Sequence, residues 1–212
     1  MLSDSQEQAL FKLRSFLKGD SQEYILTGAA GTGKTYLMSI LKEEYRDMLF
    51  TATTNKAASL VSPSMTIHSF LGLQLIKDYK TNKEYLSQKR APRRVGVLII
   101  DECSMIDWQL YKYIKSYLDS NSKGKIIYLG DSYQLPPVKG SFNIFDTDIP
   151  KAELVENVRC DKSNIDELNR LRRCIAFGKE YTPEETSTIK FLDEDDMKAK
   201  VLEYVLDDPS NN

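Results

Sequence analysis

The sequence predicts an α/β fold, a parallel sheet flanked by helices with a small lobe inserted between two of its elements. Three observations carry this. Short apolar runs of strand length alternate with stretches of helical periodicity. The chain has 212 residues, enough for one full domain and an insertion. One long polar, basic stretch, residues 72–94, interrupts the alternation, as a functional loop or a small subdomain does.

Each element follows from its pattern. Residues 5–18 are amphipathic and read as the first helix; the apolar run 24–27 reads as the first strand. A second amphipathic stretch, 34–46, leads to an apolar strand at 48–53, and 55–60 reads as a short helix. After the insertion, 95–100 is a buried strand, and 107–119 is a helix whose Leu110, Ile114, Tyr117 and Leu118 share one apolar face. The strand at 125–130 is followed by a weaker one at 152–155, and beyond residue 159 helices remain at about 164–177 and 195–206. The organisation expected is a main domain of residues 1–72 and 95–180, an inserted lobe of 73–94 and an acidic helical tail of 181–212.

Composition excludes several classes. Hydrophobic residues make up 41% and charged residues 28%, a globular balance rather than a disordered or fibrous one. No run approaches the roughly 18 apolar residues of a membrane-spanning helix, and the start does not resemble a signal peptide. Three cysteines, Cys103, Cys160 and Cys174, show no metal spacing, so a reduced, cytoplasmic chain is expected. The net charge of -2 hides an asymmetry: from residue 180 onward ten acids face three lysines, a net -7, which leaves +5 on residues 1–179. The insertion alone carries seven basic and two acidic side chains.

The chemistry is concentrated in Gly28-Ala29-Ala30-Gly31-Thr32-Gly33-Lys34-Thr35, which fits G-x-x-x-x-G-K-[ST] at every fixed position, after a strand and before a helix. The glycines let backbone N–H groups converge on phosphate oxygens, and the helix N-terminus adds partial positive charge. Lys34 is expected to reach the β- and γ-phosphates of ATP, and Thr35 to bind Mg²⁺. Strand 97–100 ends in Asp101 and Glu102, which places two carboxylates at the ligand-binding edge of such a sheet. Asp101 would hold Mg²⁺ and Glu102 would orient or deprotonate the attacking water. After the strand at 125–130, Gln134 precedes Leu135-Pro136-Pro137; it either senses the γ-phosphate or lies in a plain turn.

With these motifs in this order, the chain resembles the first RecA-like motor domain of superfamily 1B DNA helicases, the RecD-like group of P-loop NTPases. The resemblance runs from Leu2 to about Leu206. It implies that Gln6 contacts the adenine base, that Gln134 couples nucleotide to DNA, and that Arg159 contacts the γ-phosphate. The segment Ala52-Thr53-Thr54-Asn55-Lys56-Ala57-Ala58 is similar to the family's A-P-T-x-x-A-A, with Thr53 in place of the proline. Thr66-Ile67-His68-Ser69-Phe70 matches its T-I-H-S. The resemblance therefore implies single-stranded DNA contacts at Thr54, Asn55, His68, Ser69 and Phe70, and a strand-separating pin in the insertion with Tyr85 stacked at the DNA junction. Phe142 is a weaker DNA candidate for which core burial is the expectation.

A motor of this type has two RecA-like domains, the second supplying an arginine finger worth about 10³–10⁵ in rate. Residue 212 falls where the second domain's first strand is expected to begin, so the chain reads as one motor lobe that unwinds DNA, 5′ to 3′, only with a partner domain in cis or in trans. The alternative is a self-contained nucleotide-dependent DNA-binding or regulatory module without substantial turnover.

Overall fold

A computed structural model of the chain describes residues 2–54, 65–78, 83–134 and 142–156, together with Arg170 and Cys174. The chain divides into two compact units, Met1–Arg159 and Cys160–Asn212, ahead of the tail boundary expected at residue 181. The architecture described here is that of the first. The helices expected at 55–60 and 195–206 lie outside the described residues, and of the one expected at 164–177 only Arg170 and Cys174, both helical, are described.

The chain opens with helix α1 (Asp4–Lys18), held by a capping box in which the Ser3 hydroxyl accepts from Gln6 N–H and the Gln6 side chain accepts from Ser3 N–H. Strand β1 (Glu23–Gly28), helix α2 (Lys34–Glu44) and strand β2 (Met48–Ala52) follow. After a two-residue strand β3 (Met65–Thr66) comes the short helix α3 (Ile67–Phe70). Then come the hairpin strands β4 (Leu73–Asp78) and β5 (Lys83–Gln88), strand β6 (Val97–Asp101), helix α4 (Trp108–Ser120), strand β7 (Lys125–Gly130) and strand β8 (Lys151–Leu154). Single 3₁₀ turns at Cys103–Met105 and Ile144–Asp146 connect them.

Six strands form one sheet in the order β3-β2-β6-β7-β1-β8, every pairing parallel. Alternation within the strands builds two cores. Leu26, Phe50, Ile99, Ile127 and Leu129 face α1 and α2, where Leu10, Leu13, Leu37 and Leu41 are buried. Ile25, Leu98, Ile100, Ile126 and Tyr128 face the other way, against Ile67 and Phe70 of α3 and the expected stripe Leu110, Ile114, Tyr117 and Leu118 of α4. Each fully buried aliphatic side chain contributes about 1.5–3 kcal/mol, and apolar residues on both faces are what a sheet covered on both sides requires.

The insertion contains an antiparallel hairpin, β4 with β5, that pairs Leu75 with Leu86 and Ile76 with Tyr85. It is fastened by Lys89 N–H to Gly72 O (2.8 Å), Gln88 Nε2 to Leu71 O (2.9 Å) and Tyr113 Oη to Leu86 O (3.0 Å). Among the described residues no helix is long and apolar enough to cross a membrane.

Candidate functional site

Because the sheet is parallel, the carboxyl ends of β1, β2, β6 and β7 all open on one edge, and four of the expected motifs begin there. The loop from Gly28 to Gly33 leaves β1 and enters α2 with Gly33 at φ 92°, and no side chain caps the helix. The first N–H groups of α2 thus face the loop's interior, where a phosphate would sit. Gly28 has no room for a side chain: a Cβ there would come within 2.7 Å of the Leu154 carbonyl oxygen on neighbouring β8.

Lys34 Nζ donates to the carbonyl oxygens of Gly28 (2.6 Å) and Ala29 (2.9 Å), so the ammonium closes over the loop it is expected to serve. Thr32 is fully buried and donates its hydroxyl to Ala29 O at 2.8 Å, bracing the loop from within. Thr35, next along α2, is exposed. Gln6 corrects an expectation. It is 3% exposed, its Oε1 accepts from Ser3 N–H at 3.1 Å, and its Nε2 donates to Thr32 O at 2.9 Å. The capping box has drawn the side chain under the loop, where both ends of its amide are engaged by the protein's own backbone.

Asp101 ends β6, one strand away from β1 across β7. Its Oδ1 accepts from Glu102 N–H at 2.8 Å. Glu102 is left-handed (φ 55°, ψ 43°), the one non-glycine residue with positive φ among the described residues. Such backbone costs on the order of 1–2 kcal/mol and persists only where its surroundings hold it. Here the Glu102 carbonyl accepts from the Thr53 hydroxyl (3.0 Å) and from Met105 N–H (3.2 Å).

Burial pushes both carboxyls above their ordinary values, opposed at Asp101 by the Glu102 N–H and then by Lys34. At Glu102 the neighbouring Asp101 charge raises it further, while Lys34 and the nearby Gln134 side chain pull it back. Gln134 is brought to Glu102 by a turn that starts at Asp131, which accepts from Tyr133 N–H at its carboxylate (3.0 Å) and from Gln134 N–H at its carbonyl (3.1 Å). Ser132 N–H donates to Thr27 Oγ1 on β1 at 3.2 Å and ties that turn to the phosphate-loop strand. Ser104 donates to Gln134 Oε1 at 3.1 Å.

The donor set fits Mg²⁺, which takes hard oxygen ligands and keeps much of its water. Thr35 offers an exposed hydroxyl and Asp101 a carboxylate with lone pairs beyond its one backbone bond. Among the described residues no three His, Cys, Asp or Glu side chains are grouped to hold a metal on their own.

The residues expected on DNA separate into two sets. Thr54 follows β2 at the sheet's carboxyl edge, while His68 and Ser69 lie on α3, whose N-cap Thr66 accepts from Ser69 N–H. Phe70 is a correction: 3% exposed and edge-on to Tyr117 at 5.3 Å, it belongs to the core. The fourth position of a one-turn helix whose first position is buried also turns inward. Tyr85 is 47% exposed and lines, with Leu86, Gln109, Lys112, Tyr113 and Ser116, a groove of about 270 Å³ beside α4. Phe142 is partly buried against the core and stacks on Tyr111 (4.9 Å between centroids) beside Trp108 (5.4 Å). Asn55 and Arg159 lie outside the described residues.

Burial lowers the pKa of His68, only partly offset by the Asp107 charge. The sequence reading gave no role to Ser104 or to Thr53, which it named only as the residue in place of a proline. Each is a hydroxyl beside the acid pair, and the signal was a side chain able to satisfy a carbonyl or amide at a strained turn.

A family model described as an AAA domain matches residues 1–192. The ATP-dependent DNA helicase PIF1 of Candida albicans is 36% identical over 158 residues, which cover 65% of this chain and 16% of that protein. The RecBCD enzyme subunit RecD of Buchnera aphidicola (Acyrthosiphon pisum strain) is 33% identical over 127 residues, 59% of this chain and 20% of that subunit. The crystal structure of Bacteroides Pif1 helicase in complex with ADP-AlF3 and ssDNA has the same fold, with a TM-score of 0.66 at 20% identity over 98% of this chain and 58% of that one. The chain thus spans 16–20% of the length of these curated relatives.

Proposed function

The chain belongs to the AAA domain family, and on that premise we propose that it is the motor domain of a superfamily 1B helicase, which binds ATP with Mg²⁺ and single-stranded DNA and couples ATP hydrolysis to movement along the strand. The observation that carries this reading is the convergence of Lys34, Asp101, Glu102 and Gln134 on one sheet edge: the Lys34 charge acts on both acids, and Gln134 lies beside Glu102, held there by the Ser104 hydroxyl. Relatives named as ATP-dependent DNA helicases support it.

The loop's N–H groups and Lys34 bind and orient the phosphates. Thr35 and Asp101 hold Mg²⁺, which supplies charge neutralisation at the phosphates when bound. Glu102 faces the attacking water and takes its proton, and Gln134 fixes the direction of the Glu102 carboxylate. Arg159 is assigned to the γ-phosphate. Thr54, Asn55, His68 and Ser69 contact DNA through its backbone and so carry no sequence preference.

With a second RecA-like domain supplying an arginine, domain closure on ATP and reopening after hydrolysis steps the motor 5′ to 3′; alone, the chain binds both ligands and turns over slowly. The test is a titration of this chain with fluorescent ATP, with and without Mg²⁺, and with labelled oligo-dT. Mg²⁺-dependent nucleotide binding together with sequence-independent oligonucleotide binding is the expected result. Failure of both overturns the reading.

A further inference from the structure

We propose that Thr53 is a positioning residue for Glu102, through which the chain at Thr54 acts on the acid that orients the attacking water. The inference rests on the functional reading above and extends it to a residue with no role there.

Thr53 makes two bonds of different kinds. Its N–H donates to Asp101 O at 3.2 Å, which continues the β2–β6 ladder one residue past Ala52 and Asp101. Its hydroxyl donates to Glu102 O at 3.0 Å, a bond no ladder requires. The recipient residue is the one held at φ 55° among the described non-glycine residues. Asp101 Oδ1 holds the N–H of Glu102, and Thr53 and Met105 hold its carbonyl. The peptide planes on both sides of the left-handed residue are thereby fixed, and with them the direction in which its carboxylate leaves the backbone. A proline at position 53, as in the family pattern, would make neither Thr53 bond.

The other side of Thr53 is Thr54, the first residue beyond the ladder and a proposed nucleic-acid contact. A ligand pulling on Thr54 displaces its neighbour's hydroxyl, and among the described residues that hydroxyl donates to the carbonyl of the strained acid. Displacements near 1 Å at such a group cost about 10²-fold in rate, so a small adjustment suffices to govern turnover.

The experiment compares the parent chain with Thr53→Val, which keeps the shape and loses the hydroxyl, and Thr53→Ser, which restores it. Thr53→Ala serves as a second deletion, and thermal unfolding confirms that each variant is folded. Amide hydrogen exchange across residues 101–106 is followed with and without oligo-dT, and hydrolysis is followed in single turnover with protein in excess. In the parent and Thr53→Ser, oligo-dT slows exchange at 101–106. In Thr53→Val and Thr53→Ala that response is lost and single-turnover hydrolysis falls by about tenfold, while nucleotide affinity stays within about twofold. Variants that all match the parent, a Thr53→Ser that matches Thr53→Val, or a parent that binds both ligands without any response at 101–106 overturns the inference alone. A parent that binds neither ligand overturns the functional reading, and the inference with it.

Discussion

The Ser104 hydroxyl donates to Gln134 Oε1 over 3.1 Å and holds the Gln134 amide beside Glu102, whose raised pKa the amide partly pulls back. The two residues come from different connections, one after β6 and one after β7, so the contact records how the adjacent strands present their ends. Gln134→Ala removes a donor from a carboxylate that burial already disfavours. Nucleotide affinity is expected to stay within about twofold of the parent, with single-turnover hydrolysis slowed by about tenfold or more. Ser104→Ala leaves the amide in place but free to rotate and is expected to show a smaller loss in the same assay.

The acid pair places function against stability. Burial raises the pKa of Asp101 and Glu102 above the values they have in the unfolded chain. The stability each carboxyl contributes is therefore full below its unfolded value and is lost as pH rises through its folded value. At neutral pH both charges oppose folding. Asp101→Asn and Glu102→Gln are each expected to gain about 1 kcal/mol, or about 2–4 °C in Tm for a chain of this size. Thermal unfolding from about pH 4 to about pH 8 checks this: the gain grows with pH and vanishes in acid. Turnover runs the other way, since the carboxylate forms are required, and its acid limb is expected above the ordinary carboxylate range.

Much of this was legible in the sequence, for reasons visible in particular residues. The strand at 125–130 coincides with β7 because Ile126, Ile127, Tyr128 and Leu129 are buried on both faces, which makes the apolar run continuous. Helix α4 was legible because Leu110, Ile114 and Tyr117 keep one face and Asp107 caps it, accepting from Leu110 N–H. Strand β6 starts at Val97, two residues later than expected, because Val95 N–H is taken by Tyr117 Oη and Gly96 N–H by Asp47 Oδ2. The hairpin β4–β5 was not legible, because its charged, alternating residues read as a solvated surface until cross-strand pairing is known. Gln6 and Phe70 failed for a related reason: a motif names a residue type, whereas burial decides which way the side chain faces.

Lys34 already has its charge engaged by the Gly28 and Ala29 carbonyls, at 2.6 and 2.9 Å. Phosphate binding exchanges those neutral acceptors for anionic ones, so the net gain comes from charge-assisted bonds of about 1.5–3 kcal/mol each. Lys34→Ala is expected to weaken nucleotide binding by at least about thirtyfold with only a small change in Tm, measured by titration with fluorescent ATP and by thermal unfolding. Lys34→Arg is not expected to restore binding, since a planar fork cannot replace a compact ammonium reaching through a loop of this size.

His68 is held neutral at physiological pH because burial lowers its pKa, with Asp107 opposing only in part. A neutral imidazole releases no counterion on meeting a phosphate, whereas the exposed Lys77 and Lys89 on and after the hairpin do. His68→Ala is therefore expected to weaken oligo-dT binding by about threefold to tenfold, equally for other sequences, without altering the slope of log affinity against log salt. Lys77→Ala and Lys89→Ala are each expected to reduce that slope by about 0.7. Acid sharpens the contrast. As pH falls through the lowered pKa of His68, below the ordinary 6.5, the parent gains a cation, and its affinity and slope rise together. The His68→Ala variant lacks both responses, and fluorescence anisotropy at several salt concentrations and two pH values measures the difference. An acid response that survives in His68→Ala would place the titrating contact elsewhere and remove His68 from the DNA path.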